Sequence, residues 1–550
     1  MTSGGEYMRL SKMFSLRSIA GFALVAMTCL SSQILNAATI AVTTTTDELN
    51  NTGDGCSLRE AIQSINNGAN YNECANSSGD AYGTNDTINI PAGTYLIAIN
   101  GPCENLNATG DFDILKNISI IGAGAGSTII DGNGLDRIFH IVGATITTNI
   151  SNLTVRNGLT NTCAQGLTDF GGGIRNDNAN LTIVDVIVSG NSAISGGGIA
   201  NFKNLNVQWS TINSNTATVA GGTGIGGGIY NGVNTTNTII NSTISGNNTD
   251  TNGGGINICA AGAAATLNLR NVTLTGNSAA NGGGISSCTA DTAYKFHIYI
   301  RNSIIARNTA TTVNPDCFDR GNLVFHSQEY NLIGDNSGCA TQPWAATDQV
   351  GDVAGGGAAI DPLIDALAAN GGETPTHALR TSPTVSPALD KANPAGCFGD
   401  DAQTVALTED QRRELRPANG LGGATAVCDI GAYEYQPICG DNIVQPPEEC
   451  DNGANNSDTQ ADACRTTCKL AFCGDNVVDT GEECDDGANN GAAGDTCSLN
   501  CRSVPLAGFQ LSGDSPWNCT LNPSAAGSMA PISWLLISLA GILFARYRRK

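Results

Sequence analysis

Between about Asp86 and Asp390 the apolar positions come in short β-branched runs, and small polar groups separate them. Leu181-Thr182-Ile183-Val184, Leu205-Asn206-Val207, Leu267-Asn268-Leu269 and Ile298-Tyr299-Ile300 are such runs. A tripeptide ending in asparagine follows each region: Ser189-Gly190-Asn191, Asn213-Ser214-Asn215, Ser245-Gly246-Asn247, Thr275-Gly276-Asn277 and Ala306-Arg307-Asn308. A second motif, Gly-Gly-Gly-Ile, interleaves with it from Gly171, Gly196, Gly226, Gly253 and Gly282, at spacings of 25, 30, 27 and 29 residues. A period of this length, holding several strand-sized pieces, is one coil of a β-solenoid. A single coil cannot bury its apolar side. Stacked on the next at about 4.8 Å, it pairs every strand and closes a column of Ile, Leu and Val. The glycines supply positive φ at corners. Asn191, Asn215, Asn247, Asn277 and Asn308 are expected to form an amide ladder between coils. A leucine-rich horseshoe would need Leu at fixed positions, and a propeller would need antiparallel hairpins; neither pattern is present. The expected fold class is all-β: a parallel β-helix, right-handed by the crossover rule, with capping segments and a small disulfide-rich module after it.

An open solenoid end exposes unpaired strands and needs a cap. Cys56-Ser57-Leu58-Arg59-Glu60-Ala61, followed by the helix pattern Ile62-Gln63-Ser64-Ile65, matches the CSLREA motif that opens many secreted bacterial β-helix proteins. Residues 87–95 resemble that family's first strands. Arg59 and Glu60 are read as an ion pair on the surface of the cap helix. Far along the chain stand Asn331-Leu332-Ile333-Gly334, Asp361-Pro362-Leu363, Asn370-Gly371-Gly372-Glu373-Thr374-Pro375-Thr376-His377, Asp410-Gln411-Arg412-Arg413, Arg416-Pro417 and Cys428-Asp429-Ile430-Gly431-Ala432-Tyr433-Glu434. Over about 105 residues these resemble the choice-of-anchor Q domain, within the pectate-lyase-like superfamily. The resemblance implies the C-terminal part of a β-helix and its cap, and it defines no activity. Cys56 with Cys74 and Cys397 with Cys428 are the bridges expected in these two regions.

Cys439-Gly440-Asp441-Asn442 and Cys473-Gly474-Asp475-Asn476 begin two copies of one unit. Cys450, Cys464 and Cys468 in the first match Cys484, Cys497 and Cys501 in the second. Units so small cannot bury enough core, so each implies two bridges. They resemble disulfide repeats of myxobacterial surface proteins. Zinc is disfavoured, because the spacing is not CxxC and no histidine lies nearby. Asp485-Asp486-Gly487 has a faint calcium-loop character, so calcium stands as a secondary expectation; no other cofactor is implied. Cys259 and Cys288 follow successive Gly-Gly-Gly-Ile motifs at the same offset, which stacks them in adjacent coils. Cys317 and Cys339 complete the disulfide candidates.

Twenty cysteines indicate an oxidising compartment. The net charge of -23 argues against nucleic acid as a partner. Arg9, Lys12 and Arg17 precede the apolar stretch Ile19 to Leu30, a signal-peptide pattern ending near Ala37. Residues 529–550 end in an apolar segment and Arg546-Tyr547-Arg548-Arg549-Lys550. They resemble the C-terminal sorting tails of Gram-negative bacteria, which are read by a membrane protease, and Cys519 is assigned to tail processing. The expected organisation is a signal peptide (1–37), N-terminal cap (38–85), β-helix (86–330), choice-of-anchor-like part (331–436), two disulfide repeats (437–502), linker (503–528) and sorting tail (529–550). The resulting protein is exported to the cell surface, outer membrane or medium, and holds a membrane through its tail until processing.

Acidic residues are sparse in the repeats and stand at non-equivalent positions. The densest polar group is Asp131, Asp136, Arg137 and His140, a weak catalytic candidate. A calcium-dependent lyase needs clustered carboxylates beside a basic group, and a glycosidase needs spaced carboxylates. The reading therefore leans to a non-catalytic protein that binds surface glycans or protein partners in adhesion. A polysaccharide lyase or hydrolase, and a structural envelope stalk, are the alternatives. The aromatics expected at the surface are Trp209, Tyr230, Tyr294 and Trp344.

Overall fold

In the computed structural model, residues 37–504 are described apart from 51–52, 84, 103, 144, 161–168, 219–223, 233–235, 260–263, 288–293, 340–342, 401, 419, 421–424, 443, 445–447 and 493–494. The signal peptide, linker and tail regions, with Cys288 and Cys519, lie outside the described residues. The chain falls into two compact units: Met1–Asn456 with Cys464–Leu470, and Ser457–Ala463 with Ala471–Lys550.

Three sheets of 16, 5 and 8 strands build the first unit, and the neighbouring strands of each pair in parallel. The protein is a parallel β-helix. Register is set by one inward column on the long sheet: Ile40, Ile88, Ile120, Ile150, Ile183, Val207, Ile239, Leu269 and Ile300 stand opposite one another in turn. All nine are fully buried. Each contributes about 1.5–3 kcal/mol by leaving water, and a one-residue slip would turn the whole column outward. Phe112, Phe139, Ile174, Ile199, Ile229, Ile256, Ile285 and Cys317 form the matching column of the eight-stranded sheet.

The expected amide ladder is present. The side-chain Nδ2 of Asn191 donates to Asn215 Oδ1, and so on through Asn247, Asn277 and Asn308 to Asp316, each at 2.9 Å. The same oxygens accept the backbone N–H of the preceding asparagine. Gly171, Gly196, Gly226, Gly253 and Gly282 have φ between 59° and 69°, the conformation their corners require.

A second corner was not foreseen. Asn152, Asp185, Trp209, Asn241, Asn271 and Asn302 all have positive φ, and they interrupt or end long strands at equivalent positions. One left-handed residue per coil swings the strand onto a new face, and Asn tolerates that conformation best after Gly. The face before the bend stays open. The face after it carries Thr211, Thr243 and Thr273 in one row.

The first strand, Thr39–Ala41, already pairs with Asp86–Ile90, and pairing ends at Gln349–Val350. Helix Leu58–Asn67 packs beside the first coils, with a capping box between Ser57 and Glu60. The surface ion pair expected of Arg59 and Glu60 is corrected here. Arg59 is fully buried, pairs with Asp47 at 2.6 Å, and donates to the carbonyls of Asp111 and Gly110. Glu60 is spent on the cap, accepting from Ser57 N at 3.1 Å.

The segment after the last paired strand does not stay at the solenoid's end. From Ile360 onward it runs back along the solenoid as a strap. Arg307 donates to Ile364 O, Ala432 N to Thr273 Oγ1, Gln411 Nε2 to Thr211 Oγ1, Arg413 to Asp185, and Ala125 N to Glu373. Buried Arg416 ties the strap together through Glu434 at 3.0 Å. The threonine row supplies hydroxyls at each coil, which is why a polar segment can dry that face.

Bridges join Cys56–Cys74, Cys317–Cys339, Cys397–Cys428, Cys439–Cys468 and Cys450–Cys464 in the first unit. Cys473–Cys501 and Cys484–Cys497 belong to the second. Cys259 is also disulfide-bonded. In the loop expected to have calcium-loop character, Asp485 Oδ2 accepts the N–H groups of Gly474 and Asp475, while Oδ1 accepts those of Gly487 and the Asn490 side chain. Asp451 is used in the same way. Each aspartate holds a tight backbone turn in its own unit.

Candidate functional site

Two places in the first unit gather polar chemistry. One is a buried cluster on the eight-stranded sheet. Strands Phe112–Ile114, Phe139–Val142 and Ile174–Asp177 run side by side, with Asp113 opposite His140 and His140 opposite Arg175. Their apolar neighbours point inward, so these three polar residues share the outer side of the strands. His140 Nδ1 lies 3.1 Å from Asp113 Oδ1, and Nε2 lies 3.0 Å from Asp177 Oδ2. Arg175 holds Asp177 at 2.9 Å. Arg137 Nε meets Asp111 Oδ2 at 2.5 Å, and the Asp136 carboxylate accepts the Arg137 backbone N–H at 2.7 Å. Burial pushes the Asp111 carboxyl up to about 8, against the pull of Arg137. Burial likewise raises Asp136. His140 is raised by its two carboxylates in spite of burial, which acts the other way.

The four sequence candidates do not form one site. Asp136, Arg137 and His140 join this cluster, but Asp131 ends a strand of the long sheet. There it pairs with half-exposed Arg156 at 2.8 Å and accepts from Asn157 and Asn133. The turn at Gly132 to Leu135 separates it from the others. Asp111, Asp113, Asp177 and Arg175 complete the cluster, and sequence reading missed this grouping. Coil-length spacing of acidic residues beside His140 would have been the signal. Asp111, Asp113, Asp136, Arg137 and His140 are each no more than 4% exposed. A polymer cannot reach them, so the cluster is not an open acid–base site.

The other place is open. On the long sheet, before the bend, outward positions repeat from coil to coil. Thr147, Asn180, Asn204, Thr236 and Thr266 form one row. Asn149, Thr182, Asn206, Thr238 and Asn268 form the next. Rows of coils lie about 4.8 Å apart. All ten residues are Thr or Asn, without a charge. A shallow open groove of about 530 Å³ runs over Asn180, Thr182, Asn204, Asn206, Gln208 and Thr238. Asn204 Nδ2 donates to Asn180 Oδ1 at 2.9 Å, which keeps the amides oriented. Farther along the same face, Tyr299 stacks on His326 at 4.4 Å, and His326 meets His297 at 2.9 Å.

The surface aromatics are redistributed. Trp209 lies beneath the Arg413 guanidinium at 3.7 Å, and Trp344 packs on Phe325. Tyr230 sits in a half-buried trio with Phe170 and Phe202, with centroids 5.3–5.7 Å apart. Tyr294 is exposed. The groove is therefore lined by amides, hydroxyls and the aliphatic side chains of Leu181, Leu205 and Ile240, and none of the four aromatics lines it.

No family model matches this chain, and no curated protein matches it. Among solved structures it is similar to two mannuronan C-5 epimerase A-modules of Azotobacter vinelandii. The AlgE4 module shares 16% identity over 46% of this chain and 81% of that one, with a TM-score of 0.24. The AlgE6 module shares 18% over 50% and 82%, also with a TM-score of 0.24. The class of this protein, a parallel β-helix with a disulfide-rich C-terminal region, rests on its own strand pairing and bridges. Among the described residues no helix is long and apolar enough to cross a membrane.

Proposed function

We propose that this is an exported, surface-anchored β-helix protein that binds neutral glycan chains in adhesion without acting on them. The uncharged Thr and Asn array carries the reading. In a chain of net charge -23, ten such side chains on one open face select for a partner rich in hydroxyls and poor in charge. Each offers a donor and an acceptor, as a sugar does. The bridges support an oxidising, extracellular compartment. The CSLREA and choice-of-anchor resemblances support display at a bacterial surface, with the basic tail read by a sorting protease.

The test is binding and turnover by the purified protein on a polysaccharide panel, with and without calcium. Binding to neutral polymers with no new chain ends is expected. Loss of one good hydrogen bond is worth about 1 kcal/mol, so Asn206→Ala is expected to weaken binding roughly fivefold. New unsaturated or reducing ends would establish the lyase or hydrolase reading instead. Silence on every glycan would leave a protein partner or a stalk.

A further inference from the structure

We propose that Asp111, Asp113 and His140 form a buried binding site for a divalent cation of the zinc type. One oxygen from each aspartate and one imidazole nitrogen lie within 4.8 Å of one another. All three residues are no more than 4% exposed. This does not depend on the glycan reading, which concerns another sheet.

The local hydrogen bonds point to a positive centre. Asp177 accepts from His140 Nε2 at 3.0 Å and is itself clamped by Arg175. With Nε2 engaged by that bond, Nδ1 is the ring atom left for a metal, and it lies 3.1 Å from Asp113 Oδ1. That contact closes through a proton on Nδ1 or through a cation that both atoms ligate, and the remaining donors favour the cation. Asp111 shows the same design. Arg137 holds its Oδ2, and its buried Oδ1 has no hydrogen-bond partner. A buried carboxylate oxygen left bare costs about 1–3 kcal/mol or more. Asp113 has its other oxygen fixed by the Asn107 N–H at 2.8 Å. Each donor is thus oriented by an outer partner that leaves one atom free, the arrangement seen around metal ligands.

The donor set selects the ion. One nitrogen and two carboxylate oxygens suit zinc, whose bonds of about 2.0–2.2 Å need donors no more than about 4 Å apart. Calcium wants six to eight oxygens and finds too few here. The three ligands come from two adjacent coils, so the ion would staple the start of the solenoid, and its binding energy becomes folding energy.

The experiment is metal analysis of the full chain, stripped with chelator, reloaded with Zn²⁺ and gel-filtered, followed by X-ray absorption at the zinc edge. A single retained ion per chain is expected, with one imidazole and otherwise oxygen in its shell. Asp113→Asn keeps the shape and should lose the ion, while Asp131→Asn, paired with Arg156 outside the cluster, should keep it. No retained ion, a sulfur-containing shell, or full retention in Asp113→Asn would each overturn the proposal. The absorption spectrum needs only the unmutated chain, so it decides even if the variant does not fold. A doubly protonated His140 would then be the positive centre.

Discussion

At the scale of single residues, Asp316 shows how one carboxylate can set a pH dependence. It ends the amide ladder, with Oδ1 accepting both the N–H and the Nδ2 of Asn308. Burial outweighs these donors and raises its carboxyl from 3.8 to about 7. The folded chain therefore binds this proton more tightly than the unfolded chain. Its contribution is greatest below pH 4 and is lost as pH rises to about 7. Asp316→Asn, which restores the residue used at every other rung, should flatten stability between pH 4 and 7. Urea midpoints across that range measure it; an unchanged slope would refute the assignment. Arg59 teaches a different lesson. Its neighbour Glu60 suggested a surface pair, yet three residues from distant segments enclose it. Adjacent opposite charges say little about who pairs with whom once a helix is buried.

At the scale of elements, the coil is the unit, and its motifs were legible because each recurs. Asn247 accepts from Asn215 N and Nδ2 and donates to Ile212 O and Asn277 Oδ1. Asn247→Ala strands several of these groups inside the core, at about 1–3 kcal/mol for each that stays unsatisfied. The expected loss is about 3 kcal/mol or more, read from chemical unfolding. A loss below about 1 kcal/mol would mean that the ladder is decorative. Glycine and asparagine recurrences were read correctly because any residue repeated in every coil answers to stacking. The left-handed bend at Asn152, Asn241, Asn271 and Asn302 was hidden, because Asp185 and Trp209 occupy the same position in intervening coils. The position is conserved in geometry, while the residue type varies.

At the scale of the molecule, the strap decides which faces are free. Gln411 bridges Thr211, Thr243 and Thr374 from the strap side. Gln411→Ala should loosen the segment over the threonine row while leaving the coils intact. Limited proteolysis should then cut first within residues 360–436, with circular dichroism unchanged. Equal protection in the variant would show that the Arg416 and Arg413 anchors suffice. The strap dries one face and leaves the next, which carries the Thr and Asn array, bare. The motif resemblance marked this segment as the solenoid's end, since a linear match carries no direction of travel.

The sequence by itself determined what repetition can encode: parallel stacking, the inward aliphatic column, the glycine corners, the asparagine ladder and the need for bridges. These depend on contacts between equivalent positions of successive coils, so period and residue type suffice. Tertiary structure alone decided what lies between non-equivalent segments. It separated Asp131 from His140, brought Asp111 and Asp177 to that histidine, buried Arg59 and laid the strap along the solenoid. Those contacts join residues with no common period, and their energies come from desolvation and from hydrogen-bond partners that only the folded chain brings within reach.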